Sequence, residues 1–139
     1  MQVFSHHLYE FKKGVRRLIL HTTRRENEPV IRRKLEQAGI RHLIYPNGAS
    51  RINVFFGDDL AVDMIERIGK PDLRLYTHEE DFILGVLLGY DLRVQCSRYL
   101  ERTDSTAAAD PHGIRHPGSN AVPTHRSARR IRSVWRNRK

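Results

Sequence analysis

A single cysteine, Cys96, in 139 residues excludes an internal disulfide framework and any zinc site built from several cysteines. Long apolar runs are missing too, so no segment is expected to span a bilayer. The chain opens Met-Gln-Val-Phe-Ser-His-His, without a basic region followed by a long apolar stretch, and no secretory signal is expected. A reducing cytoplasm is the expected address, with no membrane partner. At 39% hydrophobic and 29% charged, the balance is that of one soluble globular domain rather than a fibrous or membrane protein.

What the sequence has in excess is positive charge, +9 overall, and it is unevenly spread. Residues 1–51 carry eleven Lys and Arg against four Asp and Glu, a net +7. Residues 52–102 carry six against ten, and residues 103–139 eight against two. A dipolar body with a basic tail is implied. Such a balance favours acidic partners (nucleic acid, an anionic surface or an acidic protein) without choosing among them.

Composition changes after Arg102. The stretch from Thr103 to Pro123 has few apolar side chains beyond alanine, and its prolines and glycines interrupt regular structure. Too little surface can be buried there to offset the entropy of ordering it, so residues 103–139 are expected to be a disordered basic tail behind a folded domain of residues 1–102. Ile131, Val134 and Trp135 stand at i, i+3, i+4 within its arginine-rich end, a spacing that suits a short amphipathic helix formed on a partner.

Within the body, Phe4, Leu8, Phe11 and Val15 recur at helical spacing and predict a first helix over residues 5–13. Residues 17–23 read as a strand. Asn27 is placed to cap a second helix striped by Ile31, Leu35 and Ala38. Residues 42–45 and 52–56 form a hairpin through Pro46-Asn47-Gly48. Asp58 or Asp59 caps a helix whose predicted face is Leu60, Ala61, Met64, Ile65 and Ile68, stopped by Gly69 and Pro71. Thr77 and Glu80 make a capping box for a helix that is apolar nearly all round, residues 82–90, which requires cover on most sides. Asp91 opens a last helix striped by Leu92, Cys96, Tyr99 and Leu100. The order predicts an α+β fold: a small three-stranded sheet, as in a ferredoxin-like split β-α-β-β-α unit lacking the last strand, with about five helices. The third strand then lies between the first two, and the strand holding Leu18 and Leu20 is an edge. A bare apolar edge and an over-apolar helix both invite a second chain, and a homodimer explains both. Alternatively, the first and last helices cover these surfaces internally.

Four segments, Phe4-x-His6-His7-Leu8-Tyr9-Glu10-Phe11-Lys12-Lys13-Gly14, Asn53-Val-Phe-Phe-Gly57, Ile68-Gly-Lys-Pro-Asp72 and Glu80-Asp-Phe-Ile-Leu-Gly85, resemble the bacterial family catalogued as domain of unknown function 2023. The resemblance covers about residues 3–101. It implies three strands, five helices and a homodimer, brings no catalytic residue, and implies a role near flavodoxin-type electron transfer.

The residues themselves offer little chemistry. His6, His7, His21, His42 and His78 lack the i, i+4 pairing of a helical zinc site, and no metal is expected. Cys96 sits on an apolar stripe, where a cysteine acts as a small hydrophobe rather than a nucleophile. Glu79-Glu80-Asp81 is accounted for by helix capping and the helix dipole. Gly85-x-x-x-Gly89 lies inside a helix and marks a close helix contact, not a phosphate loop. No cofactor is expected. The candidate partner-binding residues are the paired cations Lys12, Lys13, Arg16, Arg17, Arg24 and Arg25, with Arg32, Arg33 and Lys34 extending the basic half. The expectation is a non-enzymatic accessory or interaction module, a homodimer that docks an acidic protein such as flavodoxin. The alternative is an RNA- or DNA-binding protein using the basic half and the tail. A small hydrolase or redox enzyme with a concealed site is a third reading.

Overall fold

The computed structural model describes residues 1–108. In chain order these form α1 (Gln2–Lys12), β1 (Leu18–Arg24), a short 3-10 turn, α2 (Glu28–Gln37), β2 (Arg41–Asn47), β3 (Arg51–Gly57), α3 (Asp59–Ile68), a second 3-10 turn (Leu73–Leu75), α4 (His78–Leu87) and α5 (Leu92–Ala108). This is the predicted α+β class. The strands pair in the order β1-β3-β2, antiparallel throughout, so β3 is central and β1 is an edge as expected.

Alternation along β3 builds two cores. Ile52, Val54 and Phe56 point to one face, where they meet Phe4 of α1, Ile19, and Ile31 and Leu35 of α2. Phe55 points to the other and packs with Leu18, with Ala61, Val62 and Ile65 of α3, and with Leu84 and Leu88. The helix α2, which links β1 to β2, and α3, which follows β3, therefore cover opposite faces, whereas a ferredoxin-like unit keeps both on one. The reason is in the pattern: Leu20, Phe55 and Leu43 align across the second face, and an apolar row there needs a roof.

Helix ends follow their local chemistry. Asp58 accepts from the amides of Leu60 at 3.1 Å and Ala61 at 3.4 Å, and Gly69, at φ +66°, closes α3. Thr77 and Glu80 form the predicted capping box of α4, and Lys70 Nζ joins the Glu80 carboxylate at 2.7 Å. Asn27 occupies the cap position of α2, but its amide donates to Thr23 Oγ1 at 2.9 Å instead of accepting from the helix. Gly57 is set by close approach: the Asp58 amide reaches Arg17 O at 2.8 Å, which leaves no room for a Cβ at position 57.

Several expected faces shift. Leu60, predicted to face the core, is 76% exposed, and Met64 is exposed as well. The Asp58 cap phases α3 so that Val62 joins Ala61 and Ile65 against the sheet instead. Val15 is exposed because α1 ends at Lys12 and the chain turns at Gly14. Gly89 does not share a helical groove with Gly85. It ends α4 at φ +75°, while Gly85 alone makes the close contact, against Gln95 of α5. The domain boundary expected at Arg102 falls inside α5, where the Thr103, Ser105 and Thr106 hydroxyls bond back to carbonyls one turn earlier. The rest of the expected tail, with Ile131, Val134 and Trp135, lies outside the described residues.

Candidate functional site

The cations singled out in the sequence do not form one patch. Lys12, Lys13 and Arg17 are exposed where α1 hands over to β1. Arg16 beside them is held by Glu10, Nε to Oε2 at 3.9 Å, and Lys13 Nζ lies 5.5 Å from the centre of the Tyr9 ring. Arg24 and Arg25 stand at the far end of β1. Seven strand residues span about 20 Å or more, beyond the ~8 Å screening length at physiological salt, so the two groups act separately. The far group gains a member that sequence reasoning missed: the register sets Arg51 directly opposite Arg24. Only strand pairing joins residues so distant in the chain. On α2, Arg32 is paired with Glu28 at 2.8 Å.

The histidines make hydrogen bonds and ring contacts. His6 and His7 both reach Glu10, at 3.7 and 3.2 Å, and the His7 bond is the main reason the Glu10 carboxyl sits below its ordinary pKa. His7 also stands edge-on to His21, ring centres 5.6 Å apart, with Phe4 on another side of His21. Burial, then the nearby His7 and the chain's amino group, holds His21 below the usual imidazole range. His42 Nδ1 is 3.1 Å from Ile40 O, and His78 Nε2 is 3.2 Å from Thr106 Oγ1. Among the described residues no three His, Cys, Asp or Glu side chains come together as a metal site.

The α4–α5 hairpin presents a different surface. α5 packs chiefly on α4, with Phe82 and Tyr99 rings 5.7 Å apart and Gln95 buried against Gly85. Beside this seam lies an open cleft of about 510 Å³ whose walls are almost wholly apolar: Phe82, Ile83, Cys96, Tyr99 and Leu100, with Glu79 at one end. Leu100 in its wall is exposed, as are Val86 of α4 and Leu92 at the start of α5. Cys96, expected as a small hydrophobe on the apolar stripe, lines this cleft and is exposed. A helix with one main neighbour buries only one flank, so the stripe Leu92, Cys96 and Leu100 is left facing outward. Around the cleft Asp81 takes Arg98 at 3.2 Å and Arg102 at 3.1 Å, and Tyr99 donates to Glu79 at 3.1 Å.

These features define a small α+β protein whose three-stranded antiparallel sheet is covered by helices on both faces, with an apolar helical hairpin at its side and two cationic ends. The chain belongs to the family described as protein of unknown function (DUF2023), whose family model matches residues 2–102. No curated protein matches it. No helix among the described residues is long and apolar enough to cross a membrane.

Proposed function

We propose that the protein is a non-enzymatic interaction module that works as a homodimer built on its α4–α5 hairpin. The observation that carries this reading is the exposed apolar cleft along Phe82, Ile83, Cys96 and Leu100. Contiguous apolar surface of this kind is seldom left to water on a monomer. A second copy is the occupant because a net +9 chain repels its own kind over its basic ends, while at the hairpin the carboxylates of Glu79 and Asp81 balance Arg98 and Arg102. A two-fold axis then sets the same stripe against itself. Light scattering at micromolar concentration should report twice the 16.3 kDa chain mass. Leu100→Glu places a charge at an exposed position of the stripe, so it should give a folded monomer. A wild-type monomer at every concentration rejects the reading.

The partner of the dimer is read from the basic end at Lys12, Lys13 and Arg17. These exposed cations suit an acidic protein, and a flavodoxin is the partner that the family resemblance implies. RNA or DNA is the competing occupant. Phosphate-backbone binding falls steeply with salt and tolerates any sequence, whereas protein docking selects one partner.

A further inference from the structure

The sheet ends in two edge strands, β1 and β2, and their outward backbones are not alike. At the ends of the β1–β3 ladder, the Arg25 amide donates to Ser50 O at 2.9 Å and the Asp58 amide to Arg17 O at 2.8 Å. Bonded pairs alternate with unbonded ones along an antiparallel ladder, so the odd-numbered residues of β1 are the ones that bond β3. Leu18, Leu20, Thr22 and Arg24 therefore turn their N–H and C=O groups away from the sheet. On its other side β3 bonds β2 through Arg41, Leu43, Tyr45 and Asn47, which leaves His42, Ile44 and Pro46 outward. Pro46 has no N–H, and proline at an outward position hinders the addition of a further strand. β1 carries no such block.

Leu18 is fully buried, which closes the first end of that edge, whereas Leu20 is half-buried and Thr22 and Arg24 are exposed. The open stretch is thus Leu20 to Arg24. Its three outward side chains head three rows of the sheet: Leu20, Phe55 and Leu43, then Thr22, Asn53 and Tyr45, then Arg24, Arg51 and Asn47. The rows pass from apolar to polar to cationic. Arg24 and Arg51 face each other directly, a like-charge pairing that destabilises a sheet, and Arg25 follows in the chain. Among the described residues no carboxylate forms an ion pair with any of the three, although other arginines are so paired.

We propose that the β1 edge takes up an extended acidic segment of another protein as a fourth, antiparallel strand. The main-chain bonds of Leu20, Thr22 and Arg24 supply affinity, and the three rows supply selectivity. Read along the incoming chain, a carboxylate stands opposite Arg24, a small polar residue opposite Thr22 and an apolar one opposite Leu20. The carboxylate relieves the Arg24–Arg51 pair. A second copy of this chain does not fit as well: antiparallel pairing of β1 with β1 carries Arg24 and Arg25 of each copy toward Arg16 and Arg17 of the other. The edge is separate from the α4–α5 stripe and from the group Lys12, Lys13 and Arg17, so this inference goes beyond the dimer and flavodoxin readings and stands without them.

The probe is a peptide capped at both ends, Glu-Glu-Val-Thr-Val-Val-Ser, added to the full ¹⁵N-labelled chain. At saturation the amides of Leu20, Thr22 and Arg24 should exchange with deuterium several-fold more slowly. Those of Ile19, His21 and Thr23, already bonded to β3, should change little. Thr22→Pro removes an outward N–H and no ladder bond, as Pro46 does on β2, and should abolish binding. If that variant does not fold, the exposed change Arg24→Glu keeps the test: it should weaken the peptide about tenfold. A peptide with lysines in place of the glutamates should then bind Arg24→Glu better than the wild type. Four results overturn the proposal. They are unchanged exchange at millimolar peptide, equal binding of the lysine peptide by the wild type, undiminished binding by folded Thr22→Pro, or protection of the three amides that grows with protein concentration in the absence of peptide. The last would make a second copy the occupant.

Discussion

The hydroxyl of Tyr76 is buried with no hydrogen-bond partner among the described residues, and burial, with Tyr45 and Glu80 nearby, pushes its pKa up to about 12. An unmet buried polar atom costs about 1–3 kcal/mol, and Tyr76→Phe removes it while keeping the ring in the second core. The melting temperature should rise, and a fall in calorimetry would mean that the hydroxyl has a partner in solution. His21 makes the opposite kind of statement, one about pH. Its folded pKa is held below the ordinary 6.5 by burial first. Its contribution to stability is therefore complete above pH ~6.5, where both states are neutral, and falls as acid charges the unfolded chain first. The loss ends once pH passes the folded pKa. The groups facing it are His7 and Phe4 from α1, with Glu10 holding His7. Urea unfolding between about pH 7.5 and 5 should show this slope in the wild type. His21→Gln should flatten it. An equal slope in both proteins assigns it to another group.

At the scale of elements, α4 and α5 meet through Gly85, where an added Cβ would run into the Gln95 side chain. Overpacking costs about 1–3 kcal/mol and alanine in a helix offsets about 1 of it, so Gly85→Ala should lower stability. In a Gln95→Ala background the same change should be neutral or stabilising. Denaturant midpoints of the four proteins give the coupling, and additive effects would mean that the two side chains do not touch. Element existence was legible in the residues: the Asp58 cap and the Thr77–Glu80 box each act over a few positions and are read directly, whereas the hairpin turn expected at Pro46-Asn47-Gly48 falls at residues 48–50, because Pro46 and Asn47 pair with Ile52 and Arg51 and extend β2. Helix phase was less legible. Leu60 and Val62 are equally apolar, and only the sheet beneath α3 decides which is buried. The fate of Cys96 was not legible either, since a stripe on a lone helix does not say whether a neighbour covers it. Of the basic surface, the sequence showed which residues are cationic, but the length of β1 divides them and the β1–β3 register brings in Arg51.

At the scale of the whole molecule, charge works as two separate cationic ends. Arg16 is engaged with Glu10, so the exposed group at the first end is Lys12, Lys13 and Arg17. Changing those three to Glu spares Phe4, Leu8 and Phe11, and the fold should survive. Association with an acidic partner, measured on surface-immobilised flavodoxin, should slow far more than dissociation quickens. The wild-type on-rate should fall as salt is raised. Wild-type protein that does not bind removes flavodoxin as the partner, and steeply salt-dependent RNA binding in its place favours the nucleic-acid reading.

The place of β3 between β1 and β2 also governs how the chain is born. β1 is made early, yet β3, its one partner strand among the described residues, ends at Gly57. At about 5–20 residues per second, Leu18, Ile19 and Leu20 wait roughly two to seven seconds for the ladder that will hold them. Over that interval they are a short, β-prone, apolar stretch of nascent chain, the kind that joins its neighbours on a polysome. Arg16 and Arg17 precede it and Arg24 and Arg25 follow it. The same paired cations that mark two ends of the finished sheet stand guard over one strand while it is still alone.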